Sequence, residues 1–409
     1  MIKSFEKLSI IFFFEGFFCF SQPIITHYNT DNSGLSFNTV RCIVIQNNIK
    51  WFGTDNGLCS FDGQNWQTFT TENSPLLDDD IRSLKVENDS TLWIGTIQGG
   101  LYKKSTNTWI NYNETNSGLH DNLVRGIEID SLGVIWLATS EGVSNFDGQN
   151  WQLWSIANSG LLTNNITSIK TGFLNEKYVG TINGGLLYFD ALDNLTMHSI
   201  VESGLPDNSS LAIDIDSTGQ PWFATPAAGL VTDLGNGGPW QRWNVSNSPI
   251  PTNGLTSIAI NPEDGRIFLG TQLSGIVIKK EDVWFNYNTE NTNLPEDYIT
   301  CIVHENQFVK WAGTFNSGVV KIEEPNTMLT DFEVKPLKLF PTVVGKGEDI
   351  FFSELMNGYL TILNYSGQLM EEKILLNTSE FKINLKASGL YYVKLTSDLK
   401  SYIFKIVVN

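Results

Sequence analysis

One phrase recurs seven times along this 409-residue chain: an aromatic residue, a spacer, Gly or Ala, Thr, and then Gly before Leu, Val or Ile. The copies begin at Trp51, Trp93, Trp136, Tyr178, Trp222, Phe268 and Trp311, with spacings of 42 to 46 residues. A period of that length, holding several short strands, marks a β-propeller blade. The expected fold is all-β: a seven-bladed β-propeller followed by a small C-terminal β-sandwich.

A second motif counts the blades independently. An apolar residue is followed three positions later by an aromatic or His at Ile25, Trp66, Trp109, Trp151, Leu195, Trp240 and Trp284, with partners Tyr28, Phe69, Tyr112, Trp154, His198, Trp243 and Tyr287. The first copy precedes the first Trp phrase, and none follows Ile322. The segment 25–29 is therefore expected to supply the missing outermost strand of the last blade, which leaves no open sheet edge in the ring. In the second blade, strands are expected over 81–86, 91–96, 101–104 and 109–112. The repeated Trp side chains are plates for the gaps between sheets, and the Gly or Ala two positions later leaves room for them.

All twelve Trp lie between Trp51 and Trp311. From Lys338 onward eight basic residues face seven acidic ones, a net of +1, so the part before that point carries −19 of the total of −18. An acidic ring disfavours nucleic acid or an anionic membrane surface as partner and suits a soluble, secreted protein. At the N-terminus Lys3 and Lys7 precede an apolar run from Leu8 to Phe20, interrupted by Glu15. Residues 1–21 are expected to be a signal peptide, with no transmembrane segment in the mature chain. Cys42 and Cys301 share one column of the repeat in blades that ring closure makes neighbours. Two buried thiols are expected there, and a disulfide is the alternative.

The run Asp130-Ser-Leu-Gly-Val-Ile-Trp-Leu-Ala-Thr-Ser-Glu-Gly-Val143 and its counterparts over 25–322 resemble the two-component regulator propeller repeat. That resemblance implies extracellular ligand recognition, glycan fragments being the family's typical signals, although no kinase or response regulator accompanies it here. The tail carries Leu339-Phe-Pro341, Leu360-Thr-Ile-Leu-Asn-Tyr-Ser-Gly367, Ile383 to Leu395 and Lys405-Ile-Val-Val408, and resembles the type A C-terminal sorting domain of type IX secretion substrates. It implies export by the type IX machinery through 338–409. The expected organisation is signal peptide 1–21, propeller 22–322, linker 323–337 and sorting domain 338–409, secreted or held at the outer-membrane cell surface.

Catalytic motifs are sparse. His27, His120, His198 and His304 are the only histidines, and no zinc-protease, Cys-x-x-Cys, nucleophile-elbow or phosphate-loop pattern occurs. No catalytic residue, metal or cofactor is expected. His198 falls in the aromatic column and is expected to pack. Ligands are expected on the face built by the blade-to-blade crossings and the turns between second and third strands. The candidates there are Asp79, His120, Asp121, Asn122, Glu141, Asn183, Asp207, Asp297 and Tyr298. The leading reading is a non-enzymatic propeller that recognises an extracellular glycan or protein. The alternative is a polysaccharide lyase or hydrolase that uses an acidic funnel with His120 beside Asp121.

Overall fold

A computed structural model of the chain describes residues 23–233 and 239–324, and in the C-terminal part 339–340, 343–344, 349–364, 369–382, 385, 387–397 and 400–408. The expected signal peptide and most of the expected linker lie outside these residues. The chain divides into two units, one of which is Pro23–Glu324.

Four-stranded antiparallel sheets fill this first unit in the manner of a β-propeller. They span 40–69, 81–112, 124–154, 166–198, 212–243 and 255–287, and one more joins 299–323 to Ile24–Tyr28. The leftover N-terminal strand pairs where the sequence placed it, Ile25 opposite Ile322 and Tyr28 opposite Val319. The first strand of each sheet packs beside the first strand of the next, and Ile299–His304 packs beside Val40–Gln46. In the second sheet the strands are Ile81–Asn88, Thr91–Thr96, Leu101–Lys104 and Trp109–Tyr112.

The repeated aromatic is the filler between sheets. Trp136 is fully buried, stacks on Trp154 at 5.1 Å and meets Phe189 of the following sheet at 5.3 Å. Trp311 meets Phe52 of the first sheet and Tyr28 of the closing strand at 5.8 and 5.7 Å. The small residue of the phrase is required by contact. A Cβ on Gly53 would lie 2.4 Å from Cys42 Sγ and 2.7 Å from Ile81 Cγ2 of the next sheet. Cys42, Cys59 and Cys301 are free thiols, and burial raises the pKa of both Cys42 and Cys301.

A buried network ends the unit. Glu324, 4% exposed, receives both terminal nitrogens of Arg266 at 2.8 Å and also meets Lys310. Breaking such a network by removing one partner leaves an uncompensated buried charge. Nearby, His304 lies edge-on to Phe268 at 5.1 Å.

The second unit is described by itself. Its six strands connect through hydrogen bonds into one sheet, with Asp349–Asn364 pairing both Leu369–Lys382 and Gly389–Ser397. Register shifts interrupt the first of these pairings near Met356 and Gly358. The 16-residue strand is long enough to pair Leu339–Phe340 near its start and Gly389–Ser397 near its end.

Burial, together with Lys310, holds the His304 pKa down to about 4, against the weaker opposing pull of Ala259, Asp214 and Asp264. Between about pH 6.5 and 4 the unfolded chain binds a proton there that the folded chain refuses, so stability falls as pH drops through that window. Denaturant melts should lose on the order of 2–3 kcal/mol through this group. His304→Leu should remove that component from the pH profile; an unchanged profile would refute the assignment.

Candidate functional site

The crossings between sheets obey a sevenfold rule. An Asn or Asp three residues after the conserved Leu or Ile of each crossing turns its side-chain oxygen onto a backbone N–H eight residues earlier. The pairs are Asn38–Thr30, Asp79–Thr71, Asn122–Glu114, Asn164–Ile156, Asn208–Ile200, Asn253–Val245 and Asp297–Thr289, at 2.7 to 3.0 Å. One position earlier, Asp78, Asp121, Asp207 and Glu296 bind the N–H of Gln98, Ser140, Ala227 and Asn316, which lie in the turn between second and third strands. These acids fix the loops of the face (a carboxylate on a backbone N–H is a strong, directional bond).

The candidate residues therefore separate. Asp79, Asn122 and Asp297 belong to the first set of loop locks, and Asp121 and Asp207 to the second. His120 is exposed, while Asp121 Oδ2 takes both the N–H and the hydroxyl of Ser140 at 2.7 and 2.6 Å, so the expected base–carboxylate pairing does not form. Glu141 and Asn183 sit exposed at turn tips, Asn183 with a left-handed φ of 62°. Tyr298 lies at the start of a first strand, its ring stacked on Phe315 at 4.8 Å.

Three arginines that the sequence reading passed over complete the site. In six sheets the residue after the opening apolar position of the first strand is extra to the ladder: Arg41, Arg82, Arg125, Thr167, Thr256 and Thr300. Such a bulge re-aims its side chain. The three threonines bond carbonyls of the neighbouring sheet, those of Ser210, Ile299 and Val40. Arg41 instead grips Asp55 with Nε and Nη2 at 2.6 and 2.7 Å and lies 5.3 Å over Phe315. Arg82 holds Asp80 at 2.7 Å through two nitrogens and reaches Asp55 at 3.8 Å. Arg125 bonds Asn165 at 2.6 Å, and among the described residues no carboxylate pairs with it. The signal was visible in the sequence: three arginines share one repeat offset in consecutive blades.

Electrostatics follow the geometry. The Asp55 hydrogen bond raises Arg41, while burial lowers Arg125. Burial, helped by Asp55 and Asp78, raises the Asp80 carboxyl even beside Arg82. The cluster is mixed in charge, with Arg41, Arg82 and Arg125 standing among Asp55 and Asp80. Bidentate guanidinium donors beside a flat aromatic pair can take a carboxylate or vicinal hydroxyls. Among the described residues no cluster of three His, Cys, Asp or Glu is placed to share a metal.

No family model matches the chain, and no curated protein matches it. Solved structures do resemble it. The extracellular domain of BT3049 from B. thetaiotaomicron, assigned to a hybrid two component system, is 18% identical with a TM-score of 0.67 and covers 95% of this chain. PorZ, a bacterial surface component of the type-IX secretion system of Porphyromonas gingivalis, is 15% identical with a TM-score of 0.57 over 92%. Virginiamycin B lyase from Staphylococcus aureus is 13% identical with a TM-score of 0.60 over 74%. This chain spans 58% of the BT3049 structure and 60% of the PorZ structure, and 99% of the lyase. At these identities the likeness establishes a shared fold. Among the described residues no helix is long and apolar enough to cross a membrane.

The loop-lock reading predicts a division of labour. Asp297→Ala should cost about 1–2 kcal/mol of stability, measured by denaturant melts, while Tyr298→Ala should leave the melt close to native.

Proposed function

We propose that this chain is a secreted or cell-surface, non-enzymatic propeller of seven blades, closed by its N-terminal strand, that recognises an extracellular glycan or protein at the mouth of the ring. Of the two classes we favour a glycan. The observation that carries this reading is the arc of Arg41, Asp55, Arg82, Asp80 and Arg125 beside the Tyr298–Phe315 stack. Its rings offer a plate for a sugar face, and its guanidinium and carboxylate groups offer paired donors and acceptors for hydroxyls. Likeness to the extracellular domain of BT3049 and to PorZ supports a surface location. Residues 1–21 would direct export from the cytoplasm and 338–409 would engage the type IX machinery, with 323–337 between.

The test is a glycan-array assay on the full chain, with acidic and neutral oligosaccharides and with product release followed on every hit. A hit without cleavage, weakened about tenfold or more by Arg82→Ala or Arg125→Ala, supports recognition. Turnover abolished by His120→Ala would establish the lyase or hydrolase alternative instead. Silence across the array would move the ligand to the protein class.

A further inference from the structure

Six of the seven gaps between sheets carry a cation over the repeated aromatic ring. Lys50 lies over Trp311, Lys104 over Trp51, Lys103 over Trp93, Lys177 over Trp136, Lys279 over Trp222, and Arg266 with Lys310 over Phe268, at 4.5 to 5.8 Å. The gap between the fourth sheet (166–198) and the fifth (212–243) is the exception: among the described residues no Lys or Arg stands over Tyr178.

That same gap is built differently in three ways. Its plate is Tyr178 where five of the other six copies have Trp, and its outer aromatic is His198 where the other sheets have Phe, Tyr or Trp. In the fifth sheet, the third-strand residue opposite the Trp that opens the outer strand is Asp233, paired with Trp240. The matching positions in the second and sixth sheets are Lys104, opposite Trp109, and Lys279, opposite Trp284. Those two lysines each touch three rings: Trp51, Phe69 and Trp109 for the first, Trp222, Trp243 and Trp284 for the second. So the charge at this column is inverted in the gap where no described Lys or Arg covers the repeated ring; the lysine of that gap, Lys170, pairs instead with Asp214 at 2.8 Å. The smaller side chains also leave space. A cavity of about 230 Å³ opens between the sheets, walled by Tyr178, Tyr188, His198, Phe223, Asp233 and Trp240. Roughly 10–15 Å³ suffices for one water, so this cavity admits an organic group.

We propose that the cleft between the fourth and fifth sheets is a binding site for an alkylammonium group, which would cover the repeated ring that a Lys or Arg covers in the other gaps. The ammonium would lie against the faces of Tyr178, Tyr188 and Trp240, where a desolvated cation–π contact is strongest, with the Asp233 carboxylate as counter-charge. The walls are prearranged: Tyr178 and Tyr188 pair across neighbouring strands with their rings tilted by 53° at 5.3 Å, and Trp240 is anchored by its indole N–H to the Ser203 carbonyl at 3.1 Å. Burial lowers His198, which keeps that ring neutral near pH 7 and spares the guest a repelling neighbour. The alkyl stem would rest on Leu186 and Phe223, both buried apolar side chains of the lining. The ammonium can be borne by a free amine or by a lysine of a protein. This site is independent of the ligand at the mouth of the ring.

Calorimetric titration of the full chain with Nα-acetyl-lysine methylamide and with cadaverine tests the proposal, with Nα-acetyl-norleucine methylamide as the uncharged control. Binding of the amines, absent for norleucine, is the expected result, and Asp233→Asn should weaken it about tenfold or more. Asp233→Lys should recreate the internal cation of the second and sixth sheets, abolishing binding while holding or raising the melting temperature. Thr196→Trp, an exposed lining position, blocks the cleft without touching the gap's core and should also abolish binding. Binding of the lysine derivative alone assigns the guest to a lysine-bearing partner, and equal binding of cadaverine assigns it to free amines. Equal binding of amine and norleucine probes, no binding of any amine, or full binding by Asp233→Lys would overturn the proposal.

Discussion

The packing between these sheets depends on how one aromatic plate per sheet is held. In five sheets the indole N–H is taken by the acid or amide that ends the first strand: Trp51 by Gln46, Trp93 by Glu87, Trp136 by Asp130, Trp222 by Asp216 and Trp311 by Glu305, at 2.7 to 3.1 Å. Burying roughly 150–250 Å² per plate at about 25 cal/mol per Å² stabilises by about 4–6 kcal/mol, an upper bound. A hydrogen bond to a charged acceptor adds about 1.5–3 kcal/mol. Burial therefore supplies the energy and the bond supplies the angle. Asp130 does both jobs: one oxygen takes the N–H groups of Leu132 and Val134 in the turn, and the other orients Trp136. A turn residue is thereby tied to the contact between sheets, and in four of the five sheets the acceptor stands six residues before the Trp.

The same economy governs the loops. Asn and Asp in the crossings look like ligand-binding residues in a sequence, since polar side chains on exposed loops are where binding concentrates. Here each crossing must satisfy backbone N–H groups that no strand can pair, and the described crossings solve this with an Asn or Asp at the same offset. Recurrence is thus a mark of structure in this chain. A residue type that appears in every copy serves the fold common to every copy, and function must be sought in positions that break the series. Arg41, Arg82 and Arg125 break it, standing where three other blades have Thr bonded to the next sheet.

The architecture was legible from the sequence because period, aromatic column and closing strand all describe the same backbone. Ile25–Tyr28 could be assigned to the last sheet before any coordinates, since the motif count left one strand over and one place empty. The site was less legible for a physical reason. Sequence distinguishes polar from apolar, but it does not show whether an acid is committed to a backbone N–H (Asp121 on Ser140) or faces another side chain (Asp80 on Arg82). The bulge was equally hidden, because a one-residue slip changes which face a side chain takes without changing the pattern of types. The tail was legible as alternating strands, but not as a continuous pairing shared by one long strand.

Departures from the repeat carry physical consequences that can be ranked. Gly to Ala in the phrase, as at Ala138 and Ala224, is absorbed by packing, and both residues are fully buried. Trp to Phe at Phe268 removes a donor, and Arg266 with Lys310 covers the ring instead. The change at the fourth sheet is larger. Trp becomes Tyr178, the outer Trp becomes Leu195, the outer aromatic becomes His198, and the facing residue of the next sheet becomes Asp233. Each step shrinks or polarises the gap, and together they leave a cavity where close packing is worth most. Repeated propeller-like sheets tolerate such a gap because its neighbours retain complete aromatic sandwiches on either side, so the weakness is confined to a single interface. That confinement lets a repeat fold keep one open gap without loosening the packing of its other sheets.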